Sequence, residues 1–432
     1  MNERDSEALA SMLHNQGYAI TEKESESEII LINTCSVRDM AEQRAIGKAG
    51  HISNNPRRKK KIVGILGCMA QNKGQELFNV LPNLDMVIGT QKIHHIPHYL
   101  SQITSSKNAT KIIDVEEENA SQNAIRDHSL DKNKVSGFVS IMQGCNMHCA
   151  FCIVPYTRGQ ERSRPIDDIV TEVQQLADQG TKEVMLLGQI VTSYGRRSIP
   201  FENKQSPFVQ LLHKIHEIHG IERIRFMSPH PCGFKDDLID AYKNLPKVMP
   251  YVHFPLQSGS DKILRAMNRP YTQQSFLRTV EKLKTAVPDI AFSTDIIVGF
   301  PGETDEDFKE TSKVFEIVSF DMAYIFKYSI RSGTPAAIMP DQIPEDIKES
   351  RNQHLLDLLS KASLARNNSY LNTTQQVLVE GPAKRGDNIY VGRNPTFRKV
   401  LFPGKPSFIG KIIPIPISRS TVSAIYGQTI EG

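Results

Sequence analysis

Apolar and polar positions change their period three times along this chain, and each change marks a new kind of element. In the first segment Leu9, Met12 and Leu13 recur at helical spacing and predict a helix over Asp5–Tyr18. Short apolar runs at Glu28–Thr34, Lys61–Gly67 and Asp85–Gly89 predict buried strands, with a second helix over Arg38–Ala49 between the first two. Strands alternating with helices predict a doubly wound parallel sheet over residues 1–105. Residues 106–134 are polar and aperiodic and read as a linker. From 135 to 362 one pattern repeats. A strand at Gly137–Gln143 is followed by helices near Ile166–Gln179, Phe208–Ile218, Lys235–Asn244, Gln274–Ala286 and Asp305–Val318. These alternate with strands near Glu183–Leu187, Arg223–Met227, Tyr251–Pro255, Ala291–Val298 and Met322–Tyr328. Six parallel strands with crossover helices predict a partial (β/α)6 barrel, whose chemistry belongs at the C-terminal strand ends. From 365 to 432 the period drops to that of short strands, at Gln375–Glu380, Asn388–Val391, Lys399–Phe402 and Lys411–Ile417, separated by Gly and Pro turns. That pattern predicts a small antiparallel β-barrel. The fold class is therefore multidomain α/β.

Composition narrows the setting. A hydrophobic content of 39% and a charged content of 23% are those of an ordinary soluble chain. There is no run of eighteen apolar residues, so no membrane span is expected. The opening Met-Asn-Glu-Arg-Asp-Ser-Glu lacks the apolar stretch of a secretory signal. A cytoplasmic protein is expected, in a compartment that keeps thiols reduced. The net charge of +4 is unevenly spread: from Leu364 onward nine Lys and Arg face only three Asp and Glu. A small basic barrel predicts a polyanion partner, with single-stranded or looped RNA the usual occupant. Arg393, Arg398 and Lys399 are the candidate RNA contacts. The basic run Arg57–Lys61 reads as solvation of the loop before its strand, with RNA contact as the alternative.

The cysteines carry the chemistry. Three of the six fall within eight positions, in Gly144-Cys-Asn-Met-His-Cys-Ala-Phe-Cys152. Thiolates spaced C-x3-C-x2-C can hold three irons of a cubane cluster and leave the fourth iron open to a small molecule. A structural zinc or a plain electron carrier would want four ligands. Cys145, Cys149 and Cys152 are thus the candidate catalytic and metal-binding residues, in a tight loop that Gly144 and Phe151 suit. The predicted strand ends bring Gln189, Ser228, Gln257, Asp295 and Lys327 towards the same cavity as Cys145. Of these, Gln189, Ser228, Gln257 and Asp295, with Phe151, are candidate cofactor-binding residues. Cys35 and Cys68 end two predicted parallel strands, so both emerge on the ligand-binding edge of the first sheet and look like cluster ligands. Two are too few; a first strand carrying a third ligand is expected immediately upstream of Met1. Cys232 has no evident partner, and a simple thiol is expected there.

Together these residues resemble the radical S-adenosylmethionine (SAM) methylthiotransferases over almost the whole chain. The resemblance rests on Asn33-Thr-Cys-Ser-Val-Arg38, Gly67-Cys-Met-Ala-Gln71, the run from Gly144 to Gly159, Phe254–Ser260 and Thr294–Thr304. The final barrel resembles the RNA-binding TRAM domain. The resemblance implies SAM and two 4Fe–4S clusters. One cluster sits on Cys145, Cys149 and Cys152. The other is auxiliary, on Cys35, Cys68 and a Cys that the family carries just before this chain's opening Met-Asn. It further implies that a SAM-derived radical takes hydrogen from C2 of N6-isopentenyladenosine at position 37 in a tRNA anticodon loop, where methylated sulfur is then attached. The motifs Met1–Glu7, Tyr156–Arg164 and Phe326–Ser329 look most like the branch acting on that base. An electron donor such as flavodoxin or ferredoxin and a monomeric enzyme are implied as well. The alternatives are threonylcarbamoyl-adenosine in tRNA, an aspartate of a ribosomal protein, a generic radical-SAM substrate, or a tRNA-binding chain impaired in sulfur insertion. One departure is Gly188-Gln-Ile-Val-Thr-Ser-Tyr-Gly195, where the family has Asn in place of Ile190 and Thr192.

Overall fold

Apolar runs buried on both faces become parallel strands here, as expected where helices cover a sheet on either side. In a computed structural model, residues 1–36, 39–54, 61–106, 110–124, 128 and 134–428 are described, so Val37, Arg38 and most of the basic run at 57–61 lie outside the described residues. The chain divides into two units. One comprises Met1–Lys132, Met142–His148 and Cys152–Arg164; the other comprises Asn133–Ile141, Cys149–Phe151 and Pro165–Gly432.

The first unit is built on four parallel strands, β1 (Ile29–Thr34), β2 (Ile62–Gly67), β3 (Met86–Ile88) and β4 (Ile112–Asp114), in that order across the sheet. Helix α1 (Asn2–Asn15) packs Ala8, Leu9 and Leu13 on one face with α5 (Ile96–Ser105). Helix α2 (Asp39–Ser53) and the short α3 (Cys68–Lys73) and α4 (Glu76–Val80) pack on the other face, around Val63, Ile65 and Val87. The segment expected to be a linker supplies β4, and its following residues bond inward: Gln71 donates to the Val115 carbonyl and the Glu118 amide to Gln91. Its polarity reflects this use of side chains rather than a lack of structure. The unit also takes in β6 (Met142–Gln143) and β7 (Arg162–Ser163), which follow the first strand of the other unit, β5 (Ser136–Ser140), together with α6 (Val154–Arg158).

In the second unit six parallel strands form the predicted partial barrel. Strands β5, β8 (Glu183–Leu187) and β9 (Arg223–Phe226) make one sheet, and β10 (Tyr251–His253), β11 (Ala291–Val298) and β12 (Met322–Lys327) the other. A parallel bridge between Ile224 and Val248 links the two runs. The crossover helices are α7 (Ile166–Asp178), α8 (Pro207–His216), α9 (Asp236–Asn244), α11 (Gln273–Ala286) and α12 (Asp305–Val318), with a short α10 (Asp261–Ala266) added before α11. Local chemistry starts them where the sequence says. Thr272 and Ser275 form a capping box on α11, Thr304 and Asp307 form another on α12, and Pro207 opens α8 at a position where its missing N–H costs nothing. Between the helices and strands, Phe254 stacks on Phe276 with ring centroids 4.4 Å apart.

A long helix absent from the sequence reading, α13 (Glu345–Asn368), runs into the C-terminal barrel. Its buried face includes Lys348, Arg351, Ser363 and Asn367, so polar pairing replaces the apolar stripe that would have announced it. The barrel is closed, in the order β13 (Thr374–Pro382), β14 (Ile389–Arg393), β15 (Lys399–Pro403), β17 (Ile425–Gly427), β16 (Ile412–Ser420). It has five strands rather than four, and β15 and β17 close it in parallel, a correction to the all-antiparallel expectation. In β16 the prolines 414 and 416 point outward while Ile415 and Ile417 fill the interior.

Candidate functional site

In the first unit, Gly144 sits at φ +79°, and a Cβ there would lie 1.9 Å from the Gln160 carbonyl oxygen. Only glycine lets the chain turn this tightly before Cys145. The Cys145 amide donates to the Gly159 carbonyl at 3.1 Å, and the Met147 amide donates to the Cys145 sulfur at 3.4 Å. Asn146 accepts from the Glu161 amide, while its own Nδ2 is buried without a partner. Cys145 is buried and Cys152 half-buried.

In the second unit, the segment Cys149–Phe151 is pinned by backbone bonds from the Ala150 amide to Met267 and from the Ala336 amide to the Ala150 carbonyl. Phe151 packs among Met267, Phe300, Tyr328 and Ala336. Arg269 donates from Nη1 to the Cys149 sulfur at 3.2 Å and from Nε to the Tyr271 hydroxyl at 3.2 Å. His230 packs edge-on against Tyr271, and burial, reinforced by the Arg269 charge, depresses its imidazole to about 3. Its Nε2 is buried with no partner.

Of the expected strand-end residues, Gln189, Ser228 and Gln257 follow the ends of β8, β9 and β10, while Asp295 lies within β11. Gln189, two residues past β8, carries a buried Oε1 with no partner among the described residues. Ser228 and Gln257 both hold positive φ, +57° and +65°, which is uncommon for side-chain-bearing residues and recurs at functional strand ends. Gln257 is fixed by its amide to the Asp295 carbonyl and by its own carbonyl to the Ile297 amide. Asp295 faces His253, Nε2 to Oδ2 3.1 Å, and His253 Nδ1 lies 2.9 Å from the Ser293 hydroxyl. Sequence reasoning missed His253, since a single His in an apolar strand gives no signal. Lys327 turns instead to α13, where Glu345 and Glu349 hold it at 2.6 Å each, a correction to its place among the cavity residues. Cys232 is exposed and its thiol donates to the Pro270 carbonyl.

On the first sheet, Thr34 and Gly67 are register partners, so Cys35 and Cys68 follow neighbouring strands at one edge. Arg158 is buried beside Cys68 and pairs with Asp5 at 2.9 Å. Burial opposes its charge, but Cys68 and Asp5 outweigh this and hold its pKa above the ordinary value. Nearby, the Asn33 Oδ1 is buried without a partner. A second polar knot joins His94, His95 and Lys92 to Glu118 at 3.0–3.1 Å. Burial opposes ionisation of Glu118, yet bonds from His95 and Lys92 carry it down to about 2. With an ammonium already on that carboxylate, the group reads as a clasp rather than a cation site.

Among the candidate RNA contacts, Arg398 is mostly buried and bonds Asp321 through both its carboxylate and carbonyl oxygens. That corrects its assignment: it anchors the barrel. Arg393 pairs with Glu380 at 2.9 Å and lies over the Phe397 ring. Lys399 is exposed, as are Lys384, Arg385, Lys411 and Arg419; Arg419 sits 3.7 Å over Tyr426.

Buried thiols that accept N–H bonds from Met147 and Arg269 suit iron ligation at Cys145 and Cys149, because such bonds stabilise thiolates. Cys35 and Cys68 follow neighbouring strand ends, with the Arg158 guanidinium beside Cys68. Among the described residues no helix is long and apolar enough to cross a membrane.

Fold and thiolate triplet define a radical-SAM enzyme. A profile of the radical SAM superfamily matches residues 139–315. One of the uncharacterized protein family UPF0004 matches residues 1–89. A protein of Opitutus terrae named tRNA-2-methylthio-N(6)-dimethylallyladenosine synthase is 53% identical, covering 99% of this chain and 95% of its own. Proteins of the same name from Akkermansia muciniphila and Clostridium botulinum are 49% and 41% identical, covering 99% and 100% of this chain and 96% and 95% of their own. A solved structure of the radical S-adenosylmethionine methyltransferase TsrM from Kitasatospora setae, with cobalamin and a [4Fe-4S] cluster, shares the fold. Its TM-score is 0.56 at 13% identity, covering 77% of this chain and 71% of its own. The chain belongs to the radical-SAM methylthiotransferase family, and it is an iron–sulfur, SAM-dependent transferase.

Proposed function

We propose that this enzyme transfers a methylthio group to C2 of N6-isopentenyladenosine at position 37 of tRNA. The observation that carries the reading is end-to-end similarity, 53% over 459 aligned positions, to a synthase named for that product (dimethylallyl and isopentenyl denote the same substituent). C2 of adenine has no acidic proton, so a positioned base would achieve nothing there. The reading needs a group capable of homolytic chemistry. A SAM-binding 4Fe–4S cluster supplies it when bound, by reductive cleavage of the sulfonium.

Cys145, Cys149 and Cys152 hold that cluster in this reading. Gln189, with its unpartnered buried acceptor, and the strained Ser228 and Gln257 orient SAM and the base at the strand ends. Asp295 is steadied by His253 and presents its remaining oxygen. Phe151 keeps the thiolate segment packed and dry. Cys35 and Cys68 hold the auxiliary cluster, the source of sulfur. The exposed cations Lys384, Arg385, Lys399, Lys411 and Arg419 grip tRNA phosphates, and Tyr426 beneath Arg419 offers a stacking surface. A flavodoxin or ferredoxin supplies the electron.

The test is mass spectrometry of nucleosides from tRNA of a strain lacking the protein. Loss of the 2-methylthio form with accumulation of isopentenyladenosine is expected. Unchanged 2-methylthio-isopentenyladenosine would overturn the proposal; loss of methylthio-aspartate from a ribosomal protein would replace it with the alternative substrate.

A further inference from the structure

We infer that Arg269 is a positioning residue that sets the reduction potential of the cluster through Cys149. The inference rests on the reading of Cys149 as an iron ligand. Arg269 is the third residue after the short helix α10, and Asn268 before it stands at φ +57°, so the chain is turned sharply to aim the guanidinium. The Arg269 amide donates to the Leu264 carbonyl, which fixes that turn. Nη1 reaches the Cys149 sulfur at 3.2 Å. Nε is spent on the Tyr271 hydroxyl, whose own hydrogen is shared between the Pro255 and Leu256 carbonyls at 3.2 and 3.0 Å. The guanidinium also lies 5.2 Å from the Tyr271 ring centroid. One residue upstream of the turn, the Met267 carbonyl accepts from Ala150, the residue after Cys149. The same short loop therefore holds the thiolate's backbone and donates to its sulfur. Among the described residues no carboxylate is bonded to Arg269, so its charge is directed at the sulfur and the ring.

A cation hydrogen-bonded to a cluster thiolate favours the more negative, reduced state. Hydrogen bonds to the sulfurs and local charge are established determinants of iron–sulfur potentials. In a radical-SAM enzyme that state delivers the electron. Tyr271 acts at one further remove, by orienting Nε.

The experiment uses the anaerobically reconstituted full chain, as wild type, R269Q, R269K and Y271F. A potentiometric titration is followed by electron paramagnetic resonance of the reduced signal that responds to added SAM. R269Q should move the midpoint negative. At a fixed potential its reduced fraction should fall about tenfold, equivalent to about 59 mV for a one-electron couple. R269K should restore most of the shift, and Y271F should show a smaller shift of the same sign. A wild-type midpoint in R269Q overturns the inference. If R269Q holds no iron, a wild-type midpoint in Y271F overturns it. A wild type with no SAM-responsive cluster would instead defeat the assignment of Cys149 itself.

Discussion

Arg225 and Glu183 form a buried pair whose loss can be given a magnitude. Nε lies 2.7 Å from Oε2, and the side chains are 1% and 3% exposed. The two remaining nitrogens of Arg225 donate to the carbonyls of Pro395 and Asn394 in the C-terminal barrel. Replacing Arg225 with Met keeps most of the stem volume but strands a buried carboxylate. Breaking a buried pair from one side costs about 3–5 kcal/mol. Each orphaned carbonyl adds about 1 kcal/mol. One effect works the other way. Burial, and then the charge of Arg225, lower the neighbouring Arg223 to about 10, so removing Arg225 relieves Arg223. The balance places R225M near 4 kcal/mol of destabilisation, the middle of the range for a broken buried pair. With a urea slope of about 3 kcal/mol per molar, the midpoint should fall by more than about 1 M. The chain has no Trp, so far-UV circular dichroism is the suitable signal. The double change E183L/R225M should recover at least half of the loss, because no unpaired charge remains. A loss under about 1 kcal/mol for R225M, or a double variant no better than the single, would refute the reasoning.

Three other outcomes are expected. C149A should remove about four irons per chain from anaerobically reconstituted protein, one cubane; an unchanged count by colorimetric analysis would remove Cys149 from the ligand set. K399A should reduce the slope of log affinity for tRNA against log salt by about 0.7–0.9, one phosphate contact, whereas R398A should lower thermal stability and leave that slope alone; filter binding across a salt series separates the two. His230, held near 3 by burial and Arg269, stays neutral in the fold while the unfolded chain takes up a proton below its ordinary value, so stability rises with pH through this window and is lost as pH falls from about 6.5 towards 3. H230N should therefore flatten the pH dependence by about 2 kcal/mol at pH 5, where the unfolded imidazole is almost fully protonated; identical urea midpoints for both proteins at pH 5 and pH 7, relative to each other, would contradict this.

The elements most accurately foreseen are those whose burial is apolar and periodic. The helices α7, α9, α11 and α12 begin within a residue of their expected starts, because caps such as Thr272 and Thr304 stand just before the apolar stripe. The spacing of the cysteine triplet and the alternation of strands and helices were legible for a related reason: both are local patterns of the chain. What could not be read is structure held by polar pairing. Helix α13 buries Arg351 against Glu303 and Asp305 at 2.7 Å, β4 carries Tyr99 on Asp114, and the residues just after it are held by Gln71 and Gln91. The partner of such a residue lies dozens of positions away, so no local window reveals it. Arg269 was invisible for the same reason: its target, Cys149, lies 120 residues earlier.

Within the C-terminal barrel, composition does not say which cations face outward. Nine cations against three acids suggested a polyanion partner. The structure divides those cations by their partners. Arg366 and Arg398 both pair with Asp321, which lies immediately before β12, and Arg393 pairs with Glu380 on the barrel strands themselves. From the opposite side, Arg223 and Arg225 on β9 donate to barrel carbonyls at Gln376, Arg393, Asn394 and Pro395. Guanidinium groups suit this seam, since one fork can satisfy several acceptors at once. The lysines are left outside it: Lys384, Lys399, Lys405 and Lys411 are all exposed. A flexible, strongly hydrated ammonium is a poor seam but an adequate phosphate contact. The division of labour thus follows side-chain chemistry: arginines fasten the barrel to the enzyme body, and lysines, joined by Arg385 and Arg419, carry the field that a polyanion would meet.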